Sequence, residues 1–277
     1  MHPTLGPVHL NVQNLDRQVR FYETIIGLHL HRKTASSAEL SAGCKPLLVL
    51  HQTAAARPAH RTTGLYHFAL LVPDRRTLAR VLRHLSDSNT PLHGFADHFV
   101  SEAIYLPDAE GNGIEIYRDR PRETWTYRDG RLHIGTAPLD VRDLLTEAGN
   151  GATAWHGLPD GTTMGHVHLH VADISATEAF YADLLGMDVM ARMSSATFLA
   201  WEGYHHHLGG NTWNGEGIPA PPPDAPGLRW YTIHVPDPAA FDGLRARLEA
   251  AGAPLQAQDD GFLARDPAGN GILLTSM

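Results

Sequence analysis

Apolar and polar residues alternate along four stretches of this chain, beginning at Pro7, His67, His166 and Trp230, and behind each the apolar spacing changes. Alternation with period two marks a strand that shows its two faces to different surroundings, whereas apolar residues three and four apart, as at Leu78, Val81, Leu82 and Leu85, mark a helix. Asn14, Asp74, Asp173 and Asp237 stand where strand pattern gives way to helix pattern. Two or three further strands then close each stretch. The last pair hinges on DAEGNG at 108–113 in the second stretch and on DPAGNG at 266–271 in the fourth, where Gly and Asn supply turn conformations. The pattern predicts an α+β chain of four βαβββ modules.

The modules come in two variants. PVHLNVQNLDRQVRFYETIIGL from Pro7 and HVHLHVADISATEAFYADLLGM from His166 share V-H-L-x-V and a Phe-Tyr pair at 21–22 and 180–181. HFALLVPDRRTLARVLRHL from His67 and WYTIHVPDPAAFDGLRARLEAAG from Trp230 share V-P-D and a Leu/Arg-rich helix. Such self-similarity sets the organisation of the whole chain. Residues 1–120 hold modules one and two, 121–164 form a linker with a short helix predicted in PLDVRDLLTEAG, and 165–277 hold modules three and four. NGEGIPAPPPDAP at 214–226 is a Pro-rich loop.

Alternation assigns faces as well. In module three Val167, Leu169 and Val171 point one way, toward the helix, and His166, His168 and His170 point the other. The matching positions are Pro7, His9 and Asn11, then His67, Ala69 and Leu71, then Trp230, Thr232 and His234. That mixed, partly polar face suits the lining of a cavity better than the filling of a core.

Composition narrows the function. A chain of 277 residues with 43% hydrophobic and 19% charged residues is ordinary for a globular protein. A formal net charge of -8, without any Lys/Arg cluster, argues against nucleic acid or an anionic membrane surface as partner. Cys44 is the only cysteine, so no intrachain disulfide forms. The amino terminus lacks a signal-peptide pattern, and no apolar run approaches the roughly 20 residues of a membrane helix. A cytoplasmic enzyme is the expectation. The 19 histidines turn attention to metal and proton chemistry. His67, Glu115 and His166, on three separate predicted strands, make up two histidines and a carboxylate, the ligand set of a mononuclear non-haem iron(II) site.

The H-x-x-x-x-x-x-D openings, the G-N-G-I-E-I-Y closing and the ordered stretches GLYHFALLVPD, DHFVSEAIYLPDAEGNGIEIY, DRPRETW, MGHVHLHVAD and GYHHHLGGNTW resemble the vicinal oxygen chelate superfamily of glyoxalases, bleomycin resistance proteins and extradiol dioxygenases. Within it the chain is similar to the two-domain, catechol 2,3-dioxygenase-like proteins of bacteria. The resemblance implies modules joined into two cupped mixed-sheet barrels and an Fe(II)-dependent, ring-cleaving enzyme of aromatic catabolism that acts on a small aromatic diol with O2. It equally holds lyases and isomerases of the glyoxalase type that use Zn, Ni or Mn, and metal-free proteins that sequester drugs. Members often dimerise, so a homodimer is compatible with it, although no feature of the sequence shows one.

The resemblance places metal ligands at the first residue of the opening strand and at the Glu of the closing strand. The opening positions are Pro7, His67, His166 and Trp230; the closing positions are Glu115 and Leu273, with His207 roughly opposite Glu115 in module three and the apolar PLLVL in module one. Ligand-competent residues therefore sit only in modules two and three. Uniting His67, Glu115 and His166 requires module two to pair with three and one with four. The resemblance further suggests His98 and Tyr105 as acid/base or hydrogen-bonding groups, with His98 alternatively capping a turn beside Asp97. Read as strand, the histidine run places His205 and His207 on one face, His207 as a fourth ligand or an acid/base and His205 as a contact to the substrate or to the ligands, both catalytic candidates, and leaves His206 as packing. Trp125 and Trp213 are candidates to wall an aromatic substrate, or plain packing residues.

Overall fold

The structure, a computed structural model, describes residues 2–53, 57–149 and 155–276, so residues 150–154 of the expected linker fall outside the description. Module one comprises β1 (Thr4–Val12), α1 (Leu15–Phe21), β2 (His29–Lys33), β3 (Ser37–Ser41) and β4 (Pro46–Gln52). Module two has β5 (Gly64–Leu71), α2 (Arg75–Asp87), β6 (Gly94–Asp97), β7 (Ser101–Pro107) and β8 (Gly113–Asp119). The linker holds a two-residue ribbon, β9 (Tyr127–Arg128) with β10 (Arg131–Leu132), that the sequence pattern did not signal, and the expected short helix, α3 (Val141–Thr146). Module three runs through β11 (Thr163–His170), α4 (Ile174–Glu178), β12 (Asp188–Arg192), β13 (Ala196–Ala200) and β14 (Leu208–Asn211). Module four has β15 (Gly227–Val235), α5 (Pro238–Ala250), β16 (Gln256–Gln258), β17 (Gly261–Arg265) and β18 (Gly271–Ser276). The four βαβββ modules are present.

Local chemistry explains the elements. The Asp74 side chain accepts the Thr77 N–H at 2.7 Å and caps α2, and Leu78, Val81, Leu82 and Leu85 form that helix's buried stripe. In modules one and three, the helix carrying the Phe-Tyr pair widens into a π turn, Tyr22–Ile26 and Ala179–Leu184. Among the described residues no helix is long and apolar enough to cross a membrane.

The strands form two eight-stranded mixed sheets. One has the order β16-β17-β18-β15-β1-β4-β3-β2, the other β12-β13-β14-β11-β5-β8-β7-β6. The pairs β15–β18, β11–β14 and β5–β8 are parallel, and β1 pairs antiparallel with β15, from Thr4 opposite His234 to Asn11 opposite Gly227. Modules thus join one to four and two to three, the arrangement that ligand arithmetic requires.

By compactness the chain divides into two units, Met1–Asn11 with Ala55–Tyr66 and His166–Met277, and Val12–Ala54 with His67–Gly165. Each has its own polar latch. In the second unit Asp108 at the β7–β8 turn accepts the N–H groups of Glu110 and Asn112, while its other oxygen takes the Tyr22 hydroxyl at 2.8 Å and the Gln18 amide at 3.0 Å. In the first, Asp266 at the β17–β18 turn accepts the Tyr181 hydroxyl at 3.1 Å, and Tyr231 donates to Tyr181. The repeated Phe-Tyr and Asp turn motifs are therefore two halves of one device: the tyrosine of one module fastens the hairpin of the next. Burial first, and then the Asp108 charge, push Tyr22 well above the usual tyrosine pKa; burial and Asp266 do the same to Tyr181.

A group whose pKa is raised by folding contributes stability that is fully present below its unfolded pKa, about 10 for tyrosine, and lost as pH rises beyond it. Stability is therefore expected to fall on the alkaline side of pH ~10. Tyr22→Phe is expected to lower neutral-pH stability by about 1–3 kcal/mol, because Asp108 loses a buried donor, and to make the alkaline fall shallower. Urea unfolding at a series of pH values measures both; an unchanged alkaline slope in the variant would remove Tyr22 from this role.

Candidate metal centre

The second unit brings His67 and Glu115 together through strand register. On the parallel β5–β8 pair Ala69 lies opposite Glu115, and His67, two residues back, shares the face of Ala69. His67 Nε2 and Glu115 Oε2 are 3.0 Å apart, both side chains almost fully enclosed. A buried carboxylate needs a partner of opposite sign or a metal, since stripping its hydration is costly. Just before His166, β11 carries Gly165, where any Cβ would collide with the Tyr117 hydroxyl. Only glycine leaves room for the Tyr117 hydroxyl at this point of the strand. His67, Glu115 and His166 are all buried, and each offers a ligand-capable atom. Two imidazole nitrogens and one carboxylate oxygen fit a divalent first-row metal.

Beside Glu115 stands Tyr105, its direct partner on β7, with its ring 5.7 Å from that of His67. The Tyr105 hydroxyl is 2.7 Å from His98 Nε2, and His98 Nδ1 is 2.7 Å from the Gly135 carbonyl. A carbonyl only accepts, so Nδ1 carries a ring proton, and in the neutral tautomer Nε2 accepts from Tyr105.

The turn around His98 is braced from three sides. Asp97 accepts the Phe99 N–H at 2.8 Å and exchanges backbone hydrogen bonds with Ala137. Phe99 adopts a left-handed φ of 68°, and its ring stacks on His133 at 4.7 Å. Behind the turn, buried Glu102 accepts from Arg75, Arg118 and Arg120, and Arg120 also reaches Asp97. In the DHF stretch Asp97 caps the turn through the Phe99 N–H, and His98 reaches the Tyr105 hydroxyl.

Gly135 is a residue that motif reading missed, because an isolated linker glycine carries no spacing signal. A Cβ there would meet the Phe99 ring at 2.6 Å. Gly135→Ala is expected to displace the carbonyl that orients His98 and to lower turnover on the order of 10–100-fold, as small misplacements of catalytic groups do, with metal content unchanged. Steady-state kinetics and metal analysis on one preparation check it; a parallel loss of metal would show a general disruption instead.

In the first unit the histidine run differs from the expectation. Residues 205–207 lie in a turn ahead of β14, not in a strand, so strict alternation does not apply. Register differs too. Val167 lies opposite Leu208 and His168 opposite Gly209, as Phe68 lies opposite Ile114 and Ala69 opposite Glu115, so the counterpart of Glu115 is Gly209 and not His207. His207 Nδ1 accepts the Trp201 N–H at 3.2 Å, and its ring packs on Tyr204 at 4.7 Å. His205 is buried, with its ring 6.2 Å from His166; His206, read from sequence as packing, comes closer, at 4.0 Å. Trp125 is buried and donates to the Arg120 carbonyl, which makes it a packing residue; Trp213 is 52% exposed.

Comparison with known proteins adds three findings. The family model described as the Glyoxalase/Bleomycin resistance protein/Dioxygenase superfamily matches residues 4–116 and 163–274. The Catechol-2,3-dioxygenase of Bacillus subtilis (strain 168) is 40% identical over 269 residues, covering 95% of this chain and 93% of that protein. Among solved structures, glyoxalase I from Zea mays superposes with a TM-score of 0.61 at 14% identity, covering 99% of this chain and 93% of that one. At such identity the structural likeness speaks to fold alone.

Proposed function

The chain belongs to the Glyoxalase/Bleomycin resistance protein/Dioxygenase superfamily, and from that membership we propose that it is an Fe(II)-dependent extradiol dioxygenase that opens the ring of a catechol-like diol with O2. The observation that carries the proposal is the buried His67–Glu115 pair, set beside the Tyr105–His98 pair, with buried His166 as the third donor of the ligand set. The 40% identity to a named catechol-2,3-dioxygenase supports the same reaction class.

Bound ferrous iron would supply open positions for a diolate and for dioxygen, and a path for electrons between them. The chain's own residues do the rest. His67 and His166 serve as neutral imidazole donors, and the Glu115 carboxylate balances part of the metal's charge. Burial keeps competing water from the group. Tyr105 hands its proton to His98 Nε2 as it accepts one from the substrate hydroxyl, leaving His98 an imidazolium whose Nδ1–H still rests on the Gly135 carbonyl. The same pair returns the proton later in the cycle, as a general acid.

The test is metal content of anaerobically purified protein together with oxygen uptake on a panel of catechols. About one iron per chain with catechol-dependent oxygen consumption and a yellow product is the expected result. Tight zinc, nickel or manganese without oxygen uptake would replace the proposal with lyase or isomerase chemistry, and absence of metal binding would replace it with ligand sequestration.

A further inference from the structure

On the face of β11 that carries His166, the next two residues outward are His168 and His170. Aromatic contacts run from the buried to the exposed along this face. The His166 ring lies 4.0 Å from His206, His206 lies 5.1 Å from Phe198, and Phe198 lies 5.6 Å from His168. His168 then meets Tyr66 at 5.0 Å and Trp213 at 5.4 Å. Tyr66 and Trp213 stand edge to face, 5.2 Å apart, and are 40% and 52% exposed.

An exposed indole is ordinarily a loosely held surface group, but this one is anchored at both ends. Its Nε1–H donates to Ser195 Oγ at 3.1 Å, and its backbone N–H donates to Asn211 Oδ1 at 3.1 Å. Asn211 is wholly buried and uses both ends of its amide. Its Nδ2 donates to His168 Nε2 at 3.0 Å, and its Oδ1 also accepts from His170 Nδ1 at 2.9 Å. Beneath His168 lies Gly209, where a Cβ would strike the imidazole at 2.8 Å. Module two puts Ala69 and Glu115 at these two positions; module three exchanges the pair for His168 and Gly209, so the space of a carboxylate is given to an aromatic ring.

We propose that Tyr66 and Trp213, framed by His168, His170 and Asn211, are a specificity wall that receives a planar apolar substituent of the diol, so that the enzyme favours aryl-substituted catechols over catechol itself. The inference rests on the dioxygenase reading and adds to it the class of substituent. Continuity of the ring series with His166 identifies the occupant as the part of the substrate farthest from the reacting oxygens. The fixed indole and phenol offer it preorganised flat surface.

The experiment compares kcat/KM of iron-loaded wild type, Trp213→Ala and Tyr66→Leu on catechol, 3-phenylcatechol and 4-phenylcatechol. It also titrates the phenylcatechols into wild type and Trp213→Phe while following tryptophan emission. Expected are a wild-type preference for at least one phenylcatechol, a fall of about 5–10-fold for that substrate in either activity variant, little change for catechol, and a quench that Trp213→Phe loses. Equal loss on all three diols, or no wild-type preference, overturns the wall while leaving ring cleavage standing. If no diol is oxidised, the dioxygenase reading falls and the titration still decides: a quench lost in Trp213→Phe upholds the wall, and absence of quenching overturns it.

Discussion

Glu115→Gln is expected to strip the protein of iron and to abolish catechol-dependent oxygen uptake. The substitution keeps the shape of the side chain and removes its charge, so the two imidazoles of His67 and His166 are left without the anionic donor. Loss of a group that merely orients a ligand costs about 10–100-fold in metal affinity, and loss of the carboxylate itself is expected to exceed that. A readout independent of turnover is available. A ligand that binds only the folded state stabilises it in proportion to the logarithm of one plus the ratio of its free concentration to Kd, by about 2.7 kcal/mol at 100 times Kd. Anaerobic addition of Fe(II) is thus expected to raise the melting temperature of the wild type and leave that of the variant unmoved. Without metal the two proteins are expected to melt alike, because a neutral amide beside His67 relieves the burial of a charge at the 3.0 Å contact. Unchanged iron occupancy in Glu115→Gln would sink the proposed ligand set.

Much of this was legible in the chain. Period-two alternation and the Asn or Asp at each strand end delimited four modules, because strands half-buried on one face and capped helices write themselves into the residues nearest to them. His67, His166 and Glu115 were visible since each sits at a repeated place in that grammar. Register was not visible in module three. The run Tyr204–His207 looked like strand, but the chain turns there and β14 begins only at Leu208; a shift of two residues makes Gly209, not His207, the counterpart of Glu115. Nor was Gly135 visible, as its role lies in a carbonyl and in the closeness of Phe99, and both are products of tertiary packing. The Tyr22–Asp108 latch was half legible: both motifs stood out by repetition, yet only the fold shows them touching.

Tyr105→Phe is expected to separate metal binding from proton transfer. The ring remains to pack near His67, so iron content and iron-dependent thermal stabilisation are expected to match the wild type. Turnover, by contrast, is expected to fall by about 10²–10⁴-fold, the usual worth of a positioned acid/base group. His98→Gln is expected to give a similar loss by removing the acceptor at Nε2 that the Tyr105 hydroxyl meets at 2.7 Å. Because the two act in series on one proton, the double variant is expected to be no slower than the worse of the singles, a non-additivity that unconnected residues do not show. Independent losses that multiply in the double variant would mean that Tyr105 and His98 serve separate purposes, and full activity in Tyr105→Phe would transfer the proton to another group altogether.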